Sequence, residues 1–391
     1  MKNIDYYIPT RVVFGAGRLN ELATITLPGK KALICVTGDG LMDQLGIQQR
    51  VIGLLQQNHT ESVVFDHITP NPTREGVMAA RNMALSAGCD FVIGLGGGSS
   101  IDTAKAVAVM MVNPGDLWDY ASVGSGGRKQ VNGACPIVTI STTAGTGTET
   151  DPFSVITNEQ IGEKLDFTLD AIFPRISFID PELTLSLPRS LTLYQGFDAL
   201  FHAAECYVNN RGQNRLLDIF AIEAVTTITQ NLPRVLNNGS DLEARSNVSY
   251  VANILSGFTQ ALGSCTSHHI IAQAIGGLFP GVAHGATLLL IAKAYYQRVQ
   301  SLLPQEFDAI GAVMGEEIDP ANPGGAFLAG LSRLMDATGA SELTMSGQGI
   351  THEGLAKVAD IAANLVGFDC DSYDHPLTEQ DALAILEKSW R

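Results

Sequence analysis

The stretch GCDFVIGLGGGSSIDTAKAVAVMM (88–111) passes from a short apolar run, through three consecutive glycines, into a segment that favours helix. Strand, glycine turn and helix in that order make the repeating unit of a parallel sheet. Neighbouring segments repeat the theme. KKALICV (30–36) is followed by the turn TGDG, SVVFDHI (62–68) ends at PNPT, and CPIVTIST (135–142) runs into TAGTGTE (143–149). This pattern predicts an α/β, doubly wound (Rossmann-like) parallel sheet whose ligand loops lie at the C-terminal ends of its strands.

The character changes near DPELTLSLP (180–188). Beyond it the periodicity is helical, over 195–209, 214–235, 242–262, 268–277, 286–302, 305–315 and 324–338, with almost no strand pattern. A chain of 391 residues is too long for one ordinary core. The expected organisation is therefore an α/β dinucleotide-binding domain over 1–183 and an all-α metal-binding and substrate domain over 184–391.

Composition narrows the class. With 45% hydrophobic and 16% charged residues the chain is globular, not disordered. Its 40 acidic residues outnumber 24 basic ones and no basic run stands out, which argues against nucleic acid as a partner. The six cysteines show no CxxC and no regular spacing, a usage that suits free thiols in a reducing cytoplasm. MKNIDYYIPTRVVFG has no apolar signal core, and no apolar run is long enough to span a bilayer. A cytoplasmic protein without membrane partners is the expectation.

Two loops carry the first chemistry. Gly96, Gly97 and Gly98 let the backbone approach an anion where helical N–H groups point outward, with Ser99 or Ser100 as the helix cap and Asp102 supporting the first turn. A tight turn whose glycines meet only a steric demand explains them as well. STTAGTGTE (141–149) offers hydroxyl donors from Thr142, Thr143 and Thr146 to a pyrophosphate or ribose. The plain alternative is a capped turn, with Thr146 or Thr148 starting a helix. Asp39, after the first of these strands, suits ribose hydroxyls and repels a 2′-phosphate, unless it is only an Asp-Gly surface turn.

GFDALFHAAE (196–205) raises a different question. Apart from its closing glutamate, only Asp198 and His202 interrupt small and aromatic side chains, and their spacing of four puts both on one helix face. Such a pair compensates itself, faces water, or binds something jointly. Three of the eight histidines fall in SCTSHHIIAQAIGGLFPGVAHGA (264–286): His268, His269 and His284. Asp198 and His202 with histidines from two later elements have the composition of a divalent metal site, nitrogen-rich and without thiolate, suited to iron(II) or zinc(II). A helix ion pair and packing histidines are the bland alternative. His59, His67, His352 and His375 sit in polar surroundings and read as surface residues. Gly285, beside His284, reflects close packing or close approach of a ligand.

In order along the chain, FGAG (14–17), PNPT (70–73), GGGSSIDTAK (96–105), TTAGTGTE (142–149), DPELTLSLP, GFDALFHAAE and VAHG (282–285) resemble the iron-containing (group III) alcohol dehydrogenase family. That family is related in fold to glycerol dehydrogenase and dehydroquinate synthase. The resemblance covers essentially the whole chain. It implies a metal, iron(II) with zinc(II) as the alternative, held by Asp198, His202, His269 and His284. His269 is taken over its neighbour His268 from its spacing to the QAIGG and AHG segments. It also implies a nicotinamide dinucleotide held between the domains by Asp39, Asn71, Gly98, Ser99, Thr142, Thr143, Thr146 and Lys164, to which Gly96, Gly97 and Asp102 are added from the glycine loop. Asp39 favours NAD, with NADP not excluded.

The chain departs from the family at Gln273, where relatives often carry a second histidine four residues after the third ligand. An amide donates a hydrogen bond but carries no proton near neutral pH. Gln273 is the candidate catalytic position all the same, with water, another residue or a ribose hydroxyl left to relay the proton. The implied activity is hydride transfer between NAD(P) and a small alcohol or aldehyde, in a homodimer or larger homo-oligomer. An NAD- and metal-using lyase of the same fold and a non-catalytic relative are the competing expectations.

Overall fold

The four apolar runs read from the sequence form adjacent strands, from the middle of the sheet to one edge, of a six-stranded, wholly parallel sheet in the computed structural model, which describes residues 6–391. The strands of the chain are β1 (Arg11–Phe14), β2 (Lys31–Thr37), β3 (Glu61–Ile68), β4 (Phe91–Gly96), β5 (Ile137–Ser141), β6 (Phe153–Asn158), β7 (Glu163–Thr168) and β8 (Ile176–Ile179). The helices among them are α1 (Leu41–Gln44), α2 (Ile47–Gln57), α3 (Arg74–Ala87) and α4 (Gly98–Met110). Sheet order is β1-β8-β5-β4-β2-β3. From β2 the chain winds outward to β3, then returns to place β4 on the other side of β2. This reversal is the topological switch point where open α/β sheets bind ligands, beyond the C-terminal strand ends.

The sheet is buried on both faces, which is why its strands read as continuous apolar runs. Leu33 and Cys35 of β2 face one core with Val77, Ala80 and Ala84 of α3 and Val107 of α4. Ala32, Ile34 and Val36 face the other with Val51, Leu54 and Leu55 of α2. Alternation along one strand thus feeds two cores.

Four elements of this unit are absent from the sequence reading. β1 and β8 are four-residue strands, too short for a period to register. β6 and β7 form an antiparallel hairpin, and they correct the expectation of a helix starting at Thr146 or Thr148. Gly147 stands at φ +74° and Pro152 follows closely, so the segment cannot continue as helix. The chain is instead pinned to α4 and turns into the hairpin.

Contacts group the chain into two compact units, Tyr7–Ser186, just described, and Leu187–Arg391, which also takes Tyr6. Among the described residues the second unit contains helices and no strand: α5 (Arg189–Asn210), α6 (Arg215–Asn237), α7 (Leu242–Tyr250), α8 (Ser256–Leu262), α9 (Ser267–Leu278), α10 (His284–Val299), α11 (Pro304–Val313), α12 (Gly325–Thr338), α13 (Leu355–Asp360) and α14 (Glu379–Ser389). A π-helical turn, Val251–Leu255, joins α7 to α8. The last two helices were not read from the sequence, although Thr378 and Asp381 form a reciprocal capping box ahead of α14. Helix α5 is the hub. Every residue from Gly196 to Cys206 is buried, so its polar side chains face protein, not bulk water.

Candidate active site

Asp198, His202 and Glu205 lie at intervals of four and three along α5, on one face of the helix. All three are buried, Asp198 at 2%, His202 at 6% and Glu205 at 1% exposure. Leaving a carboxylate unpaired at that depth would cost several kcal/mol, so the surroundings must supply positive charge. Helices α9 and α10 bring it. The Nε2 atoms of His202, His269 and His284 stand 3.7, 3.4 and 3.7 Å from Asp198 Oδ1.

These separations are informative. A charge-assisted hydrogen bond closes to about 2.7–2.9 Å, whereas two ligands of one tetrahedral cation lie roughly 3.3 Å apart at normal metal–ligand lengths. The spacing matches the second case. Asp198 Oδ1 and His269 Nε2 are moreover buried with no hydrogen-bond partner. Burial alone would push the Asp198 carboxyl up, but the facing imidazoles of His202, His269 and His284 prevail and hold it at about 2. Burial likewise opposes charge on His269, yet Glu205 and Asp198 raise it to about 10. The pocket therefore demands a cation: a proton on His269, or a metal ion that displaces it. The donor set fits a borderline divalent ion such as iron(II) or zinc(II).

The adjacent histidines part company here. His268 has Nδ1 on Glu205 Oε1 (2.8 Å) and Nε2 on the Leu288 carbonyl (3.1 Å), so both ring nitrogens are spent on protein. His269 meets the same Glu205 oxygen through Nδ1 (2.9 Å) and turns Nε2 to Asp198. Glu205 also accepts from the Thr266 amide and hydroxyl, each at 2.9 Å, which fixes the start of α9. The sequence reading passed over Glu205. Its signal was present as the third polar residue on the Asp198/His202 face. His59, His67, His352 and His375 are exposed, as expected.

At the start of α10, Gly285 reflects packing. A Cβ there would collide with the Tyr194 carbonyl oxygen of α5, so glycine lets His284 approach the helix that carries Asp198. Gln273 lies one helical turn beyond His269 on α9, half-buried, and its side chain makes no hydrogen bond among the described residues. Close by, the neighbouring Cys206 thiol together with burial pushes the Cys265 thiol well above the usual thiol range. All six cysteines are free.

In the first unit the glycine and threonine loops touch. A Cβ on Gly97 would stand 2.9 Å from Thr143 Cγ2, and one on Gly98 the same distance from Thr146 Cγ2. The Thr142 amide donates to the Gly96 carbonyl at 3.0 Å, and Gly96 itself sits at φ +140°, open to glycine alone. Helix α4 begins at Gly98 with Gly97 in the cap position and no side-chain cap, which corrects the assignment of Ser99 or Ser100 as caps. With no capping side chain in the way, the first-turn N–H groups of Gly98 and Ser99 lack intrahelical acceptors and suit an anion.

The other candidate nucleotide residues occupy the same ends of the strands. Asp39 follows β2, exposed, with Oδ1 accepting from the Thr37 hydroxyl and the Leu41 amide, both at 3.0 Å. Asn71 follows β3 in a left-handed conformation (φ +56°) and accepts from Lys164 Nζ at 2.8 Å. Asp102 is placed differently. One oxygen takes the Thr148 hydroxyl (2.7 Å) and the other the Val155 amide (3.0 Å), so it ties the threonine loop and the hairpin to α4.

Comparison with known proteins completes the picture. The model for iron-containing alcohol dehydrogenase matches residues 9–181, and that for the C-terminal part of the Fe-containing alcohol dehydrogenase family matches 192–390. The chain belongs to the iron-containing alcohol dehydrogenase family. Alcohol dehydrogenase 4 of Schizosaccharomyces pombe is 33% identical, covering 79% of this chain and 71% of its own. NAD-dependent methanol dehydrogenase of Bacillus methanolicus is 34% identical, covering 72% of each. A solved alcohol dehydrogenase from an archaeal halo-thermophile of a Red Sea brine pool superimposes with TM-score 0.92 at 26% identity, covering 100% of both chains. This dehydrogenase is thus an oxidoreductase of alcohols and aldehydes that works with a nicotinamide cofactor and a metal, and the lyase reading is not favoured. Among the described residues no helix is long and apolar enough to cross a membrane.

Proposed function

We propose that the enzyme interconverts a small primary alcohol and its aldehyde with NAD, using iron(II) held by Asp198, His202, His269 and His284. The observation that carries the ligand set is the convergence of three imidazole Nε2 atoms on the buried, unpartnered Asp198 Oδ1. A divalent cation there lowers the pKa of an alcohol hydroxyl and polarises an aldehyde carbonyl toward hydride. Glu205 fixes the tautomer of His269 by accepting from Nδ1, leaving the Nε2 lone pair for the ion.

For the dinucleotide, the N–H groups of Gly98 and Ser99 and the hydroxyls of Thr142, Thr143 and Thr146 take the pyrophosphate and neighbouring ribose. Gly96 and Gly97 give the backbone its close approach. Asp39 accepts from the adenosine ribose and repels a 2′-phosphate, which favours NAD over NADP. Lys164 and Asn71 orient each other beside this site. Asp102 contributes through Thr148. Gln273 orients a hydroxyl or water by hydrogen bonding and carries no proton, so proton release near neutrality runs through solvent or a ribose hydroxyl. A cytoplasmic homo-oligomer completes the proposal: the free cysteines suit a reducing compartment, and the oligomer rests on the family resemblance.

The test is anaerobic. Metal is stripped, iron(II) or zinc(II) is restored, and oxidation of NADH and NADPH is followed across short aldehydes. Metal-dependent turnover that is faster with NADH is the expected result. Metal binding without oxidation of either cofactor would sink the dehydrogenase proposal for this chain.

A further inference from the structure

Cys265 lies in the short connection between α8 and α9, and the fold holds that connection against α5. The Asn209 side-chain amide of α5 donates to the carbonyls of Ser264 (3.0 Å), Cys265 (3.0 Å) and Cys370 (3.1 Å). The Thr266 amide and hydroxyl are tied to Glu205 on the same helix. Between these two anchors the Cys265 backbone is fixed, and only rotation of its side chain moves the sulfur. One ring nitrogen of His202, one of His269 and the Cys265 sulfur all lie within 4.8 Å of one another. Both histidines belong to the ligand set proposed above, and His269 Nε2 is a buried nitrogen without a hydrogen-bond partner.

We propose that Cys265 is a thiolate ligand for soft divalent ions, drawing zinc(II)-like cations into a His202–Cys265–His269 site that shares two histidines with the Asp198 centre. The inference rests on the metal reading of that centre. Sulfur and nitrogen ligands of one tetrahedral zinc stand roughly 3.5 Å apart, so the present separations need closing by an ångström or so, within reach of a side-chain rotation. Thiolate prefers soft ions, whereas imidazole and carboxylate also satisfy iron(II). The chain thereby discriminates between metals. Iron(II) rests on the nitrogen-and-oxygen set, while zinc(II) or cadmium(II) is pulled toward sulfur and away from Asp198. Charge balances simply: as the metal–sulfur bond forms, the S–H proton goes to solvent, with no change of oxidation state.

The experiment uses the full chain, stripped of metal and loaded separately with cobalt(II) and cadmium(II). Visible cobalt absorption reports that the Asp/His centre binds at all, and a near-ultraviolet charge-transfer band reports a metal–thiolate bond. The wild type should show both signals, and Cys265→Ser and Cys265→Ala should keep the visible absorption and lose the charge-transfer band. In chelator competition, cadmium affinity should fall by about tenfold or more in both variants, with iron(II) affinity changing far less. Circular dichroism checks that each variant is folded, and having two replacements of different polarity keeps the comparison sound if one is unstable. Visible absorption without a charge-transfer band in the wild type overturns the role of Cys265 alone. Absence of any cobalt signal overturns the metal centre and this inference together.

Discussion

A carboxylate shared by two adjacent histidines does different work on each. At Glu205, replacement by glutamine removes the charge that fixes His269 while keeping its shape. Metal affinity should then fall roughly 10- to 100-fold, as read by chelator competition. His269→Ala should abolish metal binding and activity. His268→Ala should retain the metal yet unfold more easily, by roughly 3 kcal/mol, because it strips partners from the buried Glu205 and the Leu288 carbonyl. Equal metal loss in both histidine variants would refute the division of roles. Gln273→His should introduce a new ionisation into the pH profile of kcat/KM near the ordinary histidine range; an unchanged profile would show that this position touches no proton path. The site was legible to this depth for a reason. Asp198 and His202 announce themselves by spacing on an apolar helix, but consecutive residues on a helix point about 100° apart, and only the partners of each ring tell His268 from His269. Glu205 was hidden by its place at the end of a stretch where glutamate usually faces water.

At the level of elements, helix α4 and the segment after β5 are bound by a buried lysine. Lys105 is fully buried and donates to the Asp151 carboxylate (2.8 Å), the Asp151 carbonyl (2.9 Å) and the Phe153 carbonyl (2.8 Å). Lys105→Met would leave Asp151 buried and uncompensated, costing roughly 3–5 kcal/mol in denaturant unfolding. The same segment contains Glu149, which accepts from the Ser141 hydroxyl and has its other oxygen buried without a partner. Burial raises its carboxyl from 4.5 to about 7. Because the folded state holds the proton more tightly than the unfolded chain, the stability this residue contributes is present below pH 4.5 and lost as pH rises through 7. Wild type should therefore lose roughly 3 kcal/mol relative to Glu149→Gln across that window; parallel stability curves would count against it. Sequence made β2 to β5 plain because their apolar runs are long and end in glycine or threonine turns. It missed β1 and β8, whose stabilisation comes from pairing with each other and with β5, not from any local pattern.

Across the whole molecule, two chemistries are assigned to two stretches of chain. Every proposed metal ligand comes from α5, α9 and α10 in Leu187–Arg391, and every proposed nucleotide residue from Tyr7–Ser186. That separation was legible because the hydrophobic period changes near residue 180, from strand-and-turn to helix. It has a consequence for the fate of the protein in a cell. A ligand stabilises only the structure that forms its site, by about 2.7 kcal/mol at a hundredfold excess over Kd. Iron thus protects one half of the chain and dinucleotide the other. Under iron starvation the helical half should loosen first, with its buried Asp198 and Glu205 facing one another across a protonated His269 in place of an ion. Limited proteolysis of stripped protein should then clip Leu187–Arg391 and spare Tyr7–Ser186, more so with NAD present. The metal would thereby govern how long each molecule survives, and the cellular amount of the enzyme would follow its iron supply without any change in synthesis.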